Sequence, residues 1–288
     1  MHVPSPRSIV GTGPVAMDMP APAPALEHVD VLGVAIANLT MAAATAEMER
    51  LIAAGATRAR ALYIVNAHTL NLAWEDPTYR EVLNAADLVL GDGTGVRWAA
   101  RRQGIRMRDN LVGTDLTPYF FTHTLPRRYR YYFLGARPDI VARAVGRVRQ
   151  DFPDLEIAGY AHGHFAPEEN AEVVQGINAA RPDVLLVAMG NPIQERWIRD
   201  NLPALEARLS IGVGGLFDHW GGALTRAPGW VRRHGLEWLQ LLLQQPHKWK
   251  RYLIGNPKFL CRIATHRPAT RGGRRRGDDE RTSPCAGT

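Results

Sequence analysis

The chain has 288 residues, 45% of them apolar, and a formal net charge of +7. That length suits one large domain, or one domain with an appendage, around a sizeable core. No apolar run approaches the roughly 20 residues that cross a bilayer, and the start lacks a signal peptide's order of charge, apolar block and small-residue cleavage site. The two cysteines, Cys261 and Cys285, come late and make no disulfide framework, so a reducing, cytoplasmic setting is expected.

The elements are read in chain order. Residues 1–28, with the run MPAPAPA, predict a disordered Pro/Ala-rich arm. Within it, GTGPVA at 11–16 matches the dinucleotide fingerprint, but a Pro-rich stretch follows instead of the helix that would receive a pyrophosphate. From Val29 onward short apolar runs alternate with helical patterns. VDVLGVAI (29–36) reads as a strand, and Thr40 caps a helix over 41–55. Further strands are expected at 61–65, 87–90, 155–161, 183–190 and 208–215, with another ending at Gly135. Helices are expected at 78–86, 138–152, 167–180 and 193–202. The alternation predicts an α/β domain over 29–225, a Rossmann-like, largely parallel sheet with helices on both faces. Ligands in such folds bind beyond the carboxyl ends of the strands.

No strand is expected after Gly222. Residues 226–268 read as two or three helices broken at Pro246 and Pro257, and 269–288 as a disordered tail. Charge separates this end from the rest. Residues 226–276 hold 13 Lys/Arg and one acid, Glu237; the remainder holds 22 Lys/Arg against 27 Asp/Glu. A polyanionic partner is implied for the basic end: nucleic acid, anionic lipid or a phosphorylated lipid.

Four segments follow predicted strands, where an α/β site forms. They are Asn66-Ala67-His68, the GDGTG turn around Asp92, Gly135-Ala136-Arg137, and MGNPIQERW followed by GVGGLFDHWGG. An Asp in a Gly turn is, by itself, most simply a turn former. Gly-rich turns that feed helices offer backbone N–H groups to phosphates.

In this order, with GTDL (113–116), FLGA (133–136), HGHF (162–165), RAP (226–228), GLEWLQLLLQQP and RYLIGNP, the segments resemble the WecG/TagA/CpsF glycosyltransferases, glycosyltransferase family 26, from about Val29 to Phe259. The resemblance implies transfer of a hexose or N-acetylhexosamine, often N-acetylmannosamine, from UDP to an undecaprenyl-diphosphate-linked sugar in cell-surface or exopolysaccharide biosynthesis. It implies inversion, no metal and no cofactor. Asp92 matches the family's carboxylate, Gln194 its PxQE glutamine and Asn66 its asparagine after a strand. Gly135, Gly190, Pro192, Glu195, Gly214, Asp218, Arg106, Arg108, Lys248 and Arg251 are then expected around the substrates. The basic end would meet the acceptor's diphosphate and an anionic membrane, not nucleic acid, with Trp238, Trp249 and Tyr252 at the interface. The enzyme would sit peripherally on the inner face of the bacterial cell membrane; a homo-oligomer is compatible with this.

The residue types agree with that chemistry. An ionised Asp near pH 7 can take the proton of an attacking hydroxyl. One carboxylate acting as base suits single displacement. Metal ligation is less well served. DGT at 92–94 is not a DxD, His162 and His164 lack a third ligand, and DDE at 278–280 reads as a solvated run. Many relatives carry Thr where this chain has Ile64, and Arg where it has Asn110 and Leu241; Arg106 and Arg108 are candidates to replace the first arginine. These departures suggest a different donor or acceptor, such as a hexose in exopolysaccharide assembly. Two other classes compete: a nucleotide-dependent oxidoreductase, which wants a well-placed GxGxxG, and a non-enzymatic anionic-lipid or nucleic-acid binder.

Overall fold

The computed structural model describes residues 26–225, 228 and 237–266. The arm before Leu26 with its GTGPVA run, most of 226–236 and the tail from 267 lie outside the described residues.

Eight strands form one sheet in the order β1-β2-β4-β3-β8-β7-β5-β6. They are β1 His28–Val31, β2 Val34–Ala37, β3 Arg60–Val65, β4 Leu88–Gly91, β5 Arg130–Gly135, β6 Glu156–Ala161, β7 Val184–Ala188 and β8 Leu209–Gly212. All neighbours pair in parallel except β1 and β2. The largely parallel α/β sheet expected from the alternation is therefore present.

The first strand is a correction. VDVLGVAI folds as a β1–β2 hairpin, turning through Leu32 (φ 57°) and Gly33 (φ 83°). Two successive positive φ values match the twist that a two-residue hairpin needs. A leucine there costs about 1–2 kcal/mol. Leu32 is 1% exposed, and burying a leucine contributes about 1.5–3 kcal/mol, which offsets that cost.

Helices cover both faces. Helices α1 (Met41–Ala54), α5 (Gly113–Thr124), α6 (Pro138–Asp151) and α9 (Leu216–Trp220) bury Met48, Phe120, Val141 and Phe217 with Leu62 and Ile64 of β3. Helices α2 (Ala67–Glu75), α3 (Pro77–Asn84), α4 (Gly93–Arg102), α7 (Asn170–Ala179) and α8 (Ile193–Asn201) bury Leu70, Tyr79, Val96, Ile177 and Ile198 with Tyr63 and Val65. Alternate residues of one strand thus serve two cores, which is why β3 is nearly continuously apolar. Thr40 caps α1 as expected, its Oγ1 accepting the Ala43 N–H at 3.2 Å.

The strand order directs the site. After β3 the chain adds β4 on one side, then crosses to β5 beyond β8 and β7. A crevice opens at such a reversal, beyond the carboxyl ends.

The C-terminal part has α10 (Glu237–Gln244), a 3₁₀ turn Pro246–Lys248, a π-turn Lys250–Ile254 and α11 (Gly255–Thr265). Pro246 does end α10. Pro257, expected as a break, lies instead in the first turn of α11, where a missing N–H costs little. Phe259 and Ile263 bury α11 in the second core, and Arg262 Nη1 donates to Asn71 Oδ1 at 2.8 Å. The last helix is therefore docked on the sheet domain. Among the described residues no helix is long and apolar enough to cross a membrane.

Candidate active site

A cleft of about 1130 Å³ lies at the carboxyl ends of the strands. Its walls are the turns after β3, β4, β5, β7 and β8, and its lip is the C-terminal segment through Lys248, Arg251 and Tyr252.

Asp92 reaches the cleft from the β4–α4 turn. Its backbone N–H donates to Val65 O at 2.8 Å, which ties the turn to the end of β3. Asp92 stands at the N-cap of α4, yet its side chain makes no capping bond. The Gly93 N–H donates instead to Asn110 Oδ1 at 2.8 Å.

Asn66 caps α2. Its Oδ1 accepts the N–H groups of His68 at 3.0 Å and Thr69 at 3.2 Å, so its Nδ2 is the end of the amide that can serve a ligand on the cleft side. His68 also lines the cleft. Burial pushes its imidazole down to about 4, and the nearby Arg251 and Lys248 push in the same direction. Burial and Arg251 lower Lys248 as well, while Asp218 opposes them. Asp218, Lys248 and Arg251 thus share one end of the cleft. The Arg251 guanidinium sits 5.5 Å from the Tyr252 ring centre.

Gln194 and Glu195 are both 0% exposed. They lie beneath the cleft wall, not on it. Gln194 Nε2 donates to Glu195 Oε1 at 2.8 Å, and Gln194 Oε1 accepts the Gly214 N–H at 3.0 Å. Asn191 Nδ2 also donates to Glu195 Oε1, and the Tyr79 hydroxyl donates to Oε2 at 3.0 Å. Burial raises the Glu195 carboxyl above the usual range and raises the Tyr79 phenol. The pair therefore links the turn after β7, where Gly190 and Asn191 line the cleft, to the turn after β8, where Gly214 does.

Of the other expected residues, Gly190, Gly214, Asp218, Lys248 and Arg251 come together at the cleft. Four do not. Arg106 and Arg108 are exposed away from it, and Arg108 approaches Glu27 at 3.8 Å; their loop is turned toward β2, with Arg108 N donating to Asn38 Oδ1. Gly135 lies under the floor, where a Cβ would fall 2.3 Å from Ala188 O, so close backbone packing explains the glycine. Pro192 follows a cis peptide bond between its wall-lining neighbours Asn191 and Ile193. His162 and His164 follow β6 in a loop, and His164 lines the cleft. Among the described residues no group of three His, Cys, Asp or Glu is placed to hold a metal.

Tyr252, expected at an outer interface, is 7% exposed and faces the cleft, whereas Trp249 is exposed. The departures divide similarly. Ile64 lines the cleft floor, Asn110 holds Gly93, and the side chain of Leu241 lies outside the described residues. Sequence reasoning missed the glutamines at the lip. Gln240 Nε2 donates to Thr225 O at 3.1 Å, and Gln244 Oε1 accepts the Thr225 N–H at 2.7 Å. Their i, i+4 spacing on a helix was the available signal.

The family model described as "Glycosyl transferase WecG/TagA/CpsF family" matches residues 29–273. Three relatives share the name N-acetylglucosaminyldiphosphoundecaprenol N-acetyl-beta-D-mannosaminyltransferase. That of Bacillus spizizenii is 34% identical over 198 residues, 69% of this chain and 76% of the relative. That of Bacillus subtilis is 32% identical over 199 residues, 69% and 77% respectively. That of Staphylococcus aureus strain MW2 is 30% identical over 238 residues, 82% and 92% respectively. The chain therefore belongs to the WecG/TagA/CpsF family and is a glycosyltransferase.

Proposed function

We propose that this enzyme moves a hexose or N-acetylhexosamine, of the N-acetylmannosamine type, from a UDP-sugar to a polyprenyl-diphosphate-linked sugar, inverting the anomeric centre without a metal. The observation that carries the reading is the placement of Asp92, a carboxylate on the wall of a strand-end cleft. The relatives' name supplies the class of sugar and acceptor.

The acceptor hydroxyl attacks the anomeric carbon as Asp92 takes its proton. The new C–O bond forms while the bond to the UDP oxygen breaks, and the electron pair leaves with UDP. General base catalysis of this kind contributes about 10²–10⁴-fold. Charge grows on the departing diphosphate. Backbone N–H groups of the Gly190 and Gly214 turns are the groups available to meet it. Asn66 offers its Nδ2 to a sugar hydroxyl. Gln194 acts from beneath the wall by fixing the Gly214 turn. Lys248 and Arg251 take the acceptor's diphosphate, which would otherwise be costly to draw from water.

A lipid-linked acceptor brings the enzyme to a membrane, on its inner face. Leu243, Trp249, Leu253 and Leu260 are exposed in the C-terminal segment, beside the exposed Lys250 and Lys258. Apolar groups next to cations suit the interface of an anionic bilayer. The apolar Ile64 and the amide Asn110 favour a donor or acceptor different from the relatives', such as a hexose in exopolysaccharide assembly.

The test is incubation with a panel of UDP-sugars and polyprenyl-diphosphate-linked acceptors, read by mass spectrometry with and without a chelator. A product heavier by one sugar and insensitive to chelation is expected. Transfer that requires an added divalent ion, or no transfer from any UDP-sugar, would overturn the donor and metal assignments.

A further inference from the structure

We propose that Asn110 is the positioning residue of the catalytic base, pinning the peptide plane between Asp92 and Gly93 so that the Asp92 carboxylate is aimed into the cleft. The proposal rests on the reading of Asp92 as base.

The direction of a side chain is set by the two peptide planes that flank its Cα. Before Asp92, the plane is fixed by the N–H bond to Val65 O at 2.8 Å. After it, the plane carries the Gly93 N–H, the first donor of α4, which no intrahelical acceptor can reach. Gly93 has φ +89°, so its own backbone preference does little to hold that plane. The acceptor is Asn110 Oδ1, 2.8 Å away and 17 residues further along the chain.

Asp is among the residues best suited to cap a helix with its own side chain. Asp92 has the extended backbone of an ordinary cap, φ −109° and ψ 129°, and still makes no capping bond. Asn110 meets a different donor, the N–H of Gly93 at the first helical position, so it supports the start of α4 independently of the Asp92 side chain.

Asn110 is itself well held. The next residue, Leu111, is fully buried. Just before it, Asp109 Oδ2 accepts the Met41 N–H at 2.7 Å, and Arg108 N donates to Asn38 Oδ1 at 2.8 Å. The loop is thus fastened to the start of α1 and the end of β2, and the amide is a fixed support for the turn.

The test compares Asn110→Leu, of similar size with no acceptor, and Asn110→Asp, which keeps an acceptor oxygen. Turnover is measured with the UDP-sugar and polyprenyl-diphosphate-linked acceptor that react with the wild type in the mass-spectrometric panel, and amide exchange at Gly93 is followed by NMR. Asn110→Leu is expected to speed exchange at Gly93 and to lower kcat by about tenfold or more, as misplacing a reacting group does, with KM nearly unchanged. Asn110→Asp is expected to restore both protection and kcat. Wild-type protection at Gly93 in Asn110→Leu would overturn the proposal, as would an unchanged kcat, a loss confined to KM, or equal damage from both variants. Asp92→Asn is run alongside. Full turnover by that variant sinks the base assignment and with it the positioning role, while exchange at Gly93 in Asn110→Leu judges the Asn110 bond by itself; full loss of turnover in Asp92→Asn with an unchanged kcat in Asn110→Leu sinks the positioning role alone.

Discussion

Gln194 holds the turn at Gly214: its buried Oε1 accepts the Gly214 N–H at 3.0 Å, while its Nε2 donates to Glu195. The amide spans the ends of β7 and β8 from below. A residue with no exposed surface can act on a substrate only through what it supports.

Gln194→Ala should therefore weaken the fold as well as the reaction. It leaves the Gly214 N–H without its acceptor and removes a donor from a buried carboxyl. Each such loss costs about 1–3 kcal/mol. Urea denaturation should give a drop of that order, with a larger KM for the donor because the Gly214 turn loosens. Wild-type stability would mean that water takes the place of the amide.

Asp92→Asn should abolish transfer and leave donor binding intact. The amide keeps the shape but cannot take a proton, so turnover should fall by about 10²–10⁴-fold. Calorimetry should find UDP-sugar affinity close to that of the wild type. A variant that turns over at the normal rate would remove Asp92 from the mechanism.

Much of this arrangement was legible beforehand. Short apolar runs followed by Asn66, Asp92, Gly190 and Gly214 marked the strand ends, because a parallel sheet puts every such turn on one edge. What failed was whatever tertiary packing decides. Leu32 at positive φ contradicts local preference and is explained by its burial. Arg106 and Arg108 are near Asn110 in sequence, but their loop turns them toward β2. Gln194 and Glu195 read as polar groups for a ligand, and only the fold shows both beneath the wall. Tyr252 and Trp249, three residues apart, face opposite ways, one into the cleft and one outward.

The proposed membrane attachment should depend on the outward set. Replacing Leu243, Trp249 and Leu253 together with serine removes side chains that are 76%, 45% and 52% exposed, so the fold should survive. The variant should stay in the supernatant when anionic liposomes are sedimented, and should keep its affinity for soluble UDP-sugar. Unchanged co-sedimentation would reject the membrane role of these residues.

His68 gives the cleft a pH signature whose sign is fixed by burial. Its imidazole is lowered to about 4 in the folded protein, first by desolvation and then by Arg251 and Lys248. In the unfolded chain it titrates near 6.5. Between these values the unfolded state binds the proton and the native state does not, so stability falls as pH drops from about 6.5 to about 4. Below that window both states are protonated and His68 contributes no further loss. His68→Gln should flatten this part of the profile when melting temperature is followed against pH. A diphosphate bound beside Lys248 and Arg251 would bring negative charge toward the same ring and raise its pKa. Binding of a short polyprenyl diphosphate near pH 5 should then take up a proton, seen as a binding heat that varies with the ionisation enthalpy of the buffer. Loss of that dependence in His68→Gln, with binding preserved, would place the bound diphosphate beside this histidine; an identical dependence in the variant would place it elsewhere.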